Sequence, residues 1–266
     1  MVQNKGLIFK NVPQGWPKEG EDLAIEVREF DLNAPPPKGG LTLQNCYISF
    51  DPYQRGRMRD PSTKSYSPPF ELGKPITNRA ISKVLKSDSP KFKEGDVIVL
   101  PGISTEEYTV LEEGPTSRAE KLENPYKLDP KVFLGPLGMP GLTAWSSFYE
   151  IGQPKKGETI FVSAASGAVG QIVGQLAKHE GLTVIGSVGD DRKLDFILKD
   201  LKFDAAFNYK KEKPAEALAR LAPQGIDIYY ENVGGEHLEA AMDAMNPFGR
   251  IGEGELLTMG VGLARC

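Results

Sequence analysis

The chain has 266 residues, enough for one large domain or two small ones. Its 32 basic and 36 acidic residues leave a net charge of −4, which gives no electrostatic case for nucleic acid or an anionic membrane surface as a partner. Two distant cysteines, Cys46 and Cys266, exclude a disulfide framework and fit a reducing compartment. No apolar run approaches the ~18 residues a membrane helix needs, and Met1–Gly20 carries no apolar leader core, so a cytoplasmic protein is expected.

From Gly6 to Leu111 the segments are short, β-rich and punctuated by turn residues: Leu23–Val27, Asn45–Phe50, Ile76–Ile81, Asp96–Leu100 and Glu107–Leu111. Prolines 35–37 and 68–69 mark long connections that cannot run as ladder. This half reads as an all-β module.

From about Val132 the pattern becomes βα alternation. Ile160–Ser163 leads to a helix over Ala168–His179, and Thr183–Ser187 leads to one over Arg192–Lys199. Ala205–Tyr209 leads to a helix through Ala215–Leu221, and Ile226–Glu231 to one through Glu236–Met245. This spacing suits right-handed crossovers in a parallel sheet. The whole is an α/β protein of two parts, residues 1–128 and 129–266, parted in the polar stretch Gly114–Pro130.

The most telling segment is Thr159–Gly170. A strand breaks into small residues, Ala165-x-Gly167-x-x-Gly170, and enters a helix with apolar positions at Val169, Ile172, Val173 and Leu176. A strand, a tight turn and a helix N-terminus bind a dinucleotide pyrophosphate, because bare backbone lets phosphate approach amide groups. The strand Thr183–Ser187 ends in small residues rather than in the carboxylate that would hold unphosphorylated ribose hydroxyls. Asp190 and Asp191 read instead as first-turn acids of the next helix. Lys210 and Lys211 read as a solvated helix start. His179, His237, Cys46 and Cys266 fall at no metal-ligand spacing, so no metal is expected. A serine-hydrolase reading fails because no Gly-x-Ser-x-Gly elbow accompanies either histidine.

Five ordered stretches resemble one group: Ser49–Met58, Leu137–Ala144, Ala164–Gly170, Phe207–Tyr209 and Glu231–Gly235. The chain resembles the zinc-free branch of the medium-chain dehydrogenase/reductase superfamily, in particular the NADPH-dependent alkenal double-bond reductases that include the prostaglandin reductases. The resemblance implies a GroES-like β domain followed by a Rossmann domain. It implies hydride transfer to the carbon–carbon double bond of an α,β-unsaturated aldehyde or ketone, a small-molecule substrate, and no nucleic-acid or membrane partner.

The resemblance also assigns residues. Gly167, Ala168, Val169 and Gly170 would hold the pyrophosphate. Lys193 and Tyr209 would face the 2′-phosphate of NADPH, although a helix lysine and a strand-end tyrosine also suit plain surface positions. Asn232 would lie at the nicotinamide side, with an Asx turn as its other reading. Met139 and Thr143, at the entry to an apolar helix, would line the substrate pocket or simply pack. Tyr53 would contact the substrate carbonyl, or serve as a core tyrosine. Proton delivery stays open among Tyr53, a cofactor ribose hydroxyl and water.

Past Gly249-Arg250-Ile251 the likeness stops, whereas family chains continue. Gly252–Cys266, with glycine at 252, 254, 260 and 262, reads as a poor helix and a poor strand. A C-terminally shortened chain is therefore expected, with an exposed edge strand near Ile251, lowered stability and weakened nicotinamide binding. A homodimer is implied by analogy, with its contacts largely beyond Ile251. The alternatives are a quinone reductase of the same superfamily and a non-catalytic dinucleotide-binding remnant.

Overall fold

The computed structural model describes residues 1–253. Their contacts divide into two compact units, Met1–Leu134 and Gly135 onward. The sequence places this division at 128/129. It falls later because the helical turn Pro130–Phe133, capped by the Asp129 carboxylate, groups with the first unit.

The first unit contains β1 (Val2–Phe9), β2 (Leu23–Phe30), β3 (Leu41–Ile48), α1 (Tyr53–Arg57), β4 (Thr77–Ser87), β5 (Val97–Ser104), β6 (Tyr108–Leu111), α2 (Glu113–Ser117) and β7 (Glu120–Lys121). Strands β3 to β7 form one antiparallel sheet in the order β6-β3-β4-β5-β7, and β1 pairs with β2. Leu41, Leu43, Ala80, Val84, Ile98 and Leu100 alternate inward and share one core with Phe92, Ile103, Leu111 and Ala119. Strand β1 starts before the expected Gly6. A distant contact holds it there: the Asn4 amide donates to the Tyr108 carbonyl at 2.8 Å and accepts from the Tyr108 N–H at 2.9 Å.

The second unit runs α3 (Met139–Ser147), β8 (Thr159–Val162), α4 (Ala168–His179), β9 (Thr183–Val188), α5 (Asp191–Asp195), β10 (Ala205–Asn208), α6 (Pro214–Leu221), β11 (Ile226–Glu231), α7 (Glu236–Asp243) and β12 (Met245–Glu253). The five strands are parallel in the order β10-β9-β8-β11-β12. Ile160, Val162, Val184, Ile228 and Tyr230 face the layer of α3 and α4. Phe161, Ile185, Phe207 and Tyr229 face the layer of α6 and α7. A sheet covered on both faces needs apolar residues at successive positions, as these strands have. The α4 face toward the sheet carries Gly170, Val173, Gly174 and Ala177 at helical spacing. At Gly174 there is no room for more, since a Cβ would lie 1.9 Å from the Phe203 ring.

Several boundaries differ from expectation: β3 lies at Leu41–Ile48 instead of Asn45–Phe50, and β4 and β5 run on to Ser87 and Ser104, because each pairs along its length with neighbouring strands. The helix expected over Arg192–Lys199 is α-helical only to Asp195 and continues as a wider π-helical turn, Phe196–Asp200. The helix after β11 stops at Asp243, because Met245 pairs with Ile226 and opens β12. Gly252 continues that strand opposite Tyr230, so the ladder outweighs its poor strand propensity. The remainder of the expected irregular end, 254–266, lies outside the described residues. Among the described residues β12 is an edge of the parallel sheet, and no helix is long and apolar enough to cross a membrane.

Arg250 ties β12 to its neighbours. Its guanidinium grips both Glu158 oxygens at 2.9 and 2.6 Å and donates to the carbonyls of Gly152, Gln153 and Asp227. The two side chains are 23% and 16% exposed, so water screens the pair only partly. Arg250→Ala is expected to lower unfolding stability by about 2–3 kcal/mol in urea titrations, with Arg250→Lys recovering only part because it lacks the fork.

Candidate cofactor and substrate site

The strand order reverses between β8 and β11, and a parallel sheet opens its binding crevice at the carboxyl ends of the strands flanking such a reversal. The turn from β8 into α4 is tight. Ala164 adopts the left-handed conformation at φ +45°, and the Gly167 N–H returns to the Ala164 carbonyl at 2.8 Å. A Cβ on Gly170 would lie 2.6 Å from the Ala164 oxygen and 3.0 Å from the Ala165 Cα; one on Gly167 would lie 3.0 Å from the same oxygen. Gly170 thus lets the helix close on the strand, while Gly167 keeps the exposed side of the turn bare. The first helical bond runs from the Gln171 N–H to the Gly167 carbonyl at 3.0 Å, and no side chain caps this end. The N–H groups of Ala168, Val169 and Gly170 thus have no intrahelical partner, and Gly167 and Ala168 are exposed.

At the end of β9 the acidic residues are committed to structure. Asp190 caps α5 by accepting the Arg192 N–H at 2.8 Å, and that bond holds its carboxyl below the usual range. Asp191 accepts from the Lys211 ammonium and the Asn208 amide, which lower it likewise. Beside them opens a groove of about 620 Å³ lined by Ser166, Gly189, Asp190, Arg192, Lys193, Phe196, Tyr209 and Lys210. Three cations face one carboxylate there. Arg192 is 94% exposed and touches Asp190 only at 3.4 Å, while Lys193 and Lys210 form no ion pair among the described residues. Tyr209 leans over the groove floor, its hydroxyl so close to Gly189 that a Cβ there would lie 2.5 Å away. The buried His237 ring supports it edge-on at 5.1 Å.

The sequence singled out Lys193 and Tyr209 but not their groove neighbours Arg192 and Lys210. The adjacent lysines have different tasks: Lys211 pairs with Asp191, and Lys210 lines the groove. Nothing in the local sequence separates them, since both follow the strand end as adjacent lysines.

Asn232 follows β11. Its amide reaches across the reversal point and donates to the Ser163 carbonyl at 2.8 Å, and its N–H donates to the Ser163 hydroxyl at 2.8 Å. This is a bridge to the end of β8, not an Asx turn. Gly167, Ala168, Val169, Gly170, Lys193, Tyr209 and Asn232 therefore all lie at the carboxyl ends of the strands. Met139 and Thr143 lie instead on α3, which packs against α4. Met139 is half-buried, while Thr143 is buried and its carbonyl accepts from the Ser147 hydroxyl.

Tyr53 belongs to the first unit, at the start of α1. Its hydroxyl stands 2.9 Å from both the Asp51 carboxylate and the Asn78 amide oxygen. Asp51 also accepts from the Ser49 hydroxyl at 2.7 Å and the Asn78 amide at 2.6 Å. Burial, then the Asp51 charge, raises the phenol well above its ordinary value. Its proton is thus held tightly and shared within the protein.

Two families match the chain: the N-terminal domain of oxidoreductase over residues 5–118, and zinc-binding dehydrogenase over residues 168–253. The second name carries zinc, yet among the described residues no three His, Cys, Asp or Glu side chains gather to hold a metal ion. The chain is 61% identical over 251 residues to NADP-dependent oxidoreductase RED1 of Cochliobolus heterostrophus, covering 94% of this chain and 71% of that one. It is 45% identical to the NADP(+)-dependent 2-alkenal reductase of Nicotiana tabacum, with the same coverage. The fold matches the crystal structure of CurA from Vibrio vulnificus in complex with NADPH at a TM-score of 0.80 and 34% identity, over 93% of this chain and 70% of that one. The likeness spans the antiparallel unit and the parallel unit alike, and by it the chain belongs to the medium-chain dehydrogenase/reductase superfamily of oxidoreductases.

Proposed function

We propose that the chain is an NADPH-dependent reductase acting on the carbon–carbon double bond of α,β-unsaturated aldehydes or ketones. The observation that carries the cofactor half is the cationic groove at the end of β9, whose acids are committed to capping and pairing. Arg192, Lys193 and Lys210 line this groove with only the Asp190 carboxylate, already engaged as a helix cap, to offset them; a 2′-phosphate supplies the further negative charge they can bind. The glycine turn fits a pyrophosphate for a separate reason, since Gly167 leaves the helix amides bare. NADPH, when bound, supplies a hydride for the substrate β-carbon.

In this reading the N–H groups of Ala168, Val169 and Gly170, with Gly167, receive the pyrophosphate. Lys193 and Tyr209 hold the 2′-phosphate, and Asn232 orients the nicotinamide side. The substrate half rests on the relatives: one of them is a 2-alkenal reductase. Met139 is the accessible substrate contact on α3, and the buried Thr143 supports the helix from within. Tyr53 is the carbonyl contact. Its O–H must turn from Asp51 or Asn78 to donate to a carbonyl oxygen, and its raised pKa suits hydrogen bonding better than full proton transfer.

Loss of NADPH absorbance with a simple 2-alkenal tests this directly, with NADH and a benzoquinone in parallel. Turnover of the enal with NADPH is expected. Tyr53→Phe is expected to lower kcat/KM for the enal about tenfold, the order of one lost transition-state hydrogen bond, without changing NADPH binding. Turnover of the quinone alone would favour the other enzymatic reading. NADPH binding without turnover of either would favour a dinucleotide-binding protein.

A further inference from the structure

We infer that Glu231 is a positioning residue that latches the Asn232 loop and so aims the Asn232 amide oxygen at the cofactor. This rests on the cofactor reading above. Glu231 ends β11 and is 92% removed from water, at 8% exposed. One carboxylate oxygen, Oε1, accepts the Gly234 N–H at 2.7 Å and the Val233 N–H at still shorter range. The same oxygen lies 3.4 Å from the Ser163 hydroxyl, which in turn accepts the Asn232 N–H. Every backbone N–H from Asn232 to Gly234 is therefore fixed by Glu231 or by Ser163.

The arrangement has a chemical consequence. One N–H of the Asn232 side-chain amide donates to the Ser163 carbonyl, which fixes the amide, and on the proposed reading its Oδ1 is the acceptor offered to the cofactor. An acceptor selects a donor, such as a carboxamide N–H or a ribose hydroxyl. Gly234 and Gly235 hold φ values of +77° and +55°, so the chain turns away directly after the two N–H groups that share this oxygen, a turn that residues with a Cβ rarely make.

Stability alone does not account for the carboxylate. Its second oxygen, Oε2, is buried without a hydrogen bond of good geometry, as are the Tyr229 hydroxyl and the His237 Nε2 beside it. A buried carboxyl oxygen without a good partner opposes folding and offsets part of what the bonds to the loop N–H groups contribute. What the carboxylate supplies is a doubly accepting oxygen at the loop.

The test compares Glu231→Gln, which keeps one accepting oxygen, with Glu231→Ala, which keeps none. Two readouts are taken: NADPH binding by its fluorescence, and hydrogen exchange of the Val233 and Gly234 amides in the cofactor-free protein. Glu231→Ala is expected to weaken NADPH binding about tenfold and to lose protection of both amides, with Glu231→Gln within about threefold of the parent on both. Because Asn232 acts in binding, KM for NADPH should rise more than kcat falls. Unchanged amide protection in Glu231→Ala overturns the latch. Lost protection with NADPH binding still within twofold of the parent overturns its role toward the cofactor, as does a Gln variant as impaired as Ala. If the parent chain itself fails to bind NADPH, the cofactor reading fails and takes the aim of Asn232 with it, while amide exchange still decides the latch.

Discussion

A Gly170→Val protein is expected to lose measurable NADPH binding and to unfold about 3 kcal/mol more easily than the parent. The added Cβ would meet the Ala164 oxygen at 2.6 Å, the Ala165 Cα at 3.0 Å and the Ala164 carbonyl carbon at 3.2 Å. All three are backbone atoms, and Ala164 is already held in the left-handed region at φ +45°. They cannot swing aside as a side-chain tip would, so either α4 lifts from β8 or the turn rearranges. Either movement displaces the Ala168, Val169 and Gly170 amides from one another. Gly167→Ala supplies the contrast. Its Cβ would touch only the Ala164 oxygen, at 3.0 Å, and it points into exposed space. That variant is expected to fold with near-parental stability and to bind NADPH several-fold more weakly, because in the proposed site the new methyl group would stand where the phosphates approach. Urea midpoints and NADPH fluorescence titrations on both variants check the pair. A Gly170→Val protein with the parent's midpoint and affinity would sink the account of this turn.

The fold was legible wherever local pattern and tertiary demand agree. The helix Ala168–His179 and the strand Ile226–Glu231 have the expected limits, since the small-residue stripe of one meets the sheet and the apolar stretch Ile228–Tyr230 of the other is covered on both faces. Legibility failed where a distant partner decides. Strand β1 is lengthened by Asn4 bonding to Tyr108, and Met245 is drawn into β12 by pairing with Ile226, contacts that no local window contains.

The site divides the same way. Glycine positions announce themselves, because the need for bare backbone leaves a spacing in the chain. Arg192 and Lys210 do not, because an exposed cation on a helix or turn looks the same whether it faces solvent or a groove. Asp190 could be set aside from the ribose by its place at a helix start, and its capping bond is the physical reason. Glu231 was invisible as a positioning group, since its role consists of two loop N–H groups folded back onto one of its oxygens, beside a serine from another strand that takes the third.

Lys193→Ala is expected to raise the Kd for NADPH by about 10- to 100-fold while leaving the Kd for NADH within twofold. A phosphate–ammonium contact in a partly enclosed groove contributes roughly 1.5–3 kcal/mol, and NADH has no phosphate to lose it. The lysine side chain makes no ion pair or hydrogen bond among the described residues, so its removal breaks no polar contact of the folded chain and the unfolding midpoint should hardly move. That separation of affinity from stability distinguishes a ligand-facing lysine from a merely solvated one. Arg192 and Lys210 line the same groove and can partly take over the phosphate, which sets the single variant toward the lower end of the range. Removing all three cations should therefore exceed the single loss and bring NADPH and NADH affinities close together. Salt gives an independent check. Raising ionic strength should weaken NADPH more than NADH for the parent, and should weaken both alike for the triple variant, because the phosphate's cationic partners are then gone. If Lys193→Ala left the NADPH to NADH ratio of the parent, the cationic groove would not be the phosphate site. The commitment of Asp190 and Asp191 to capping and pairing would then be a feature of helix α5 alone.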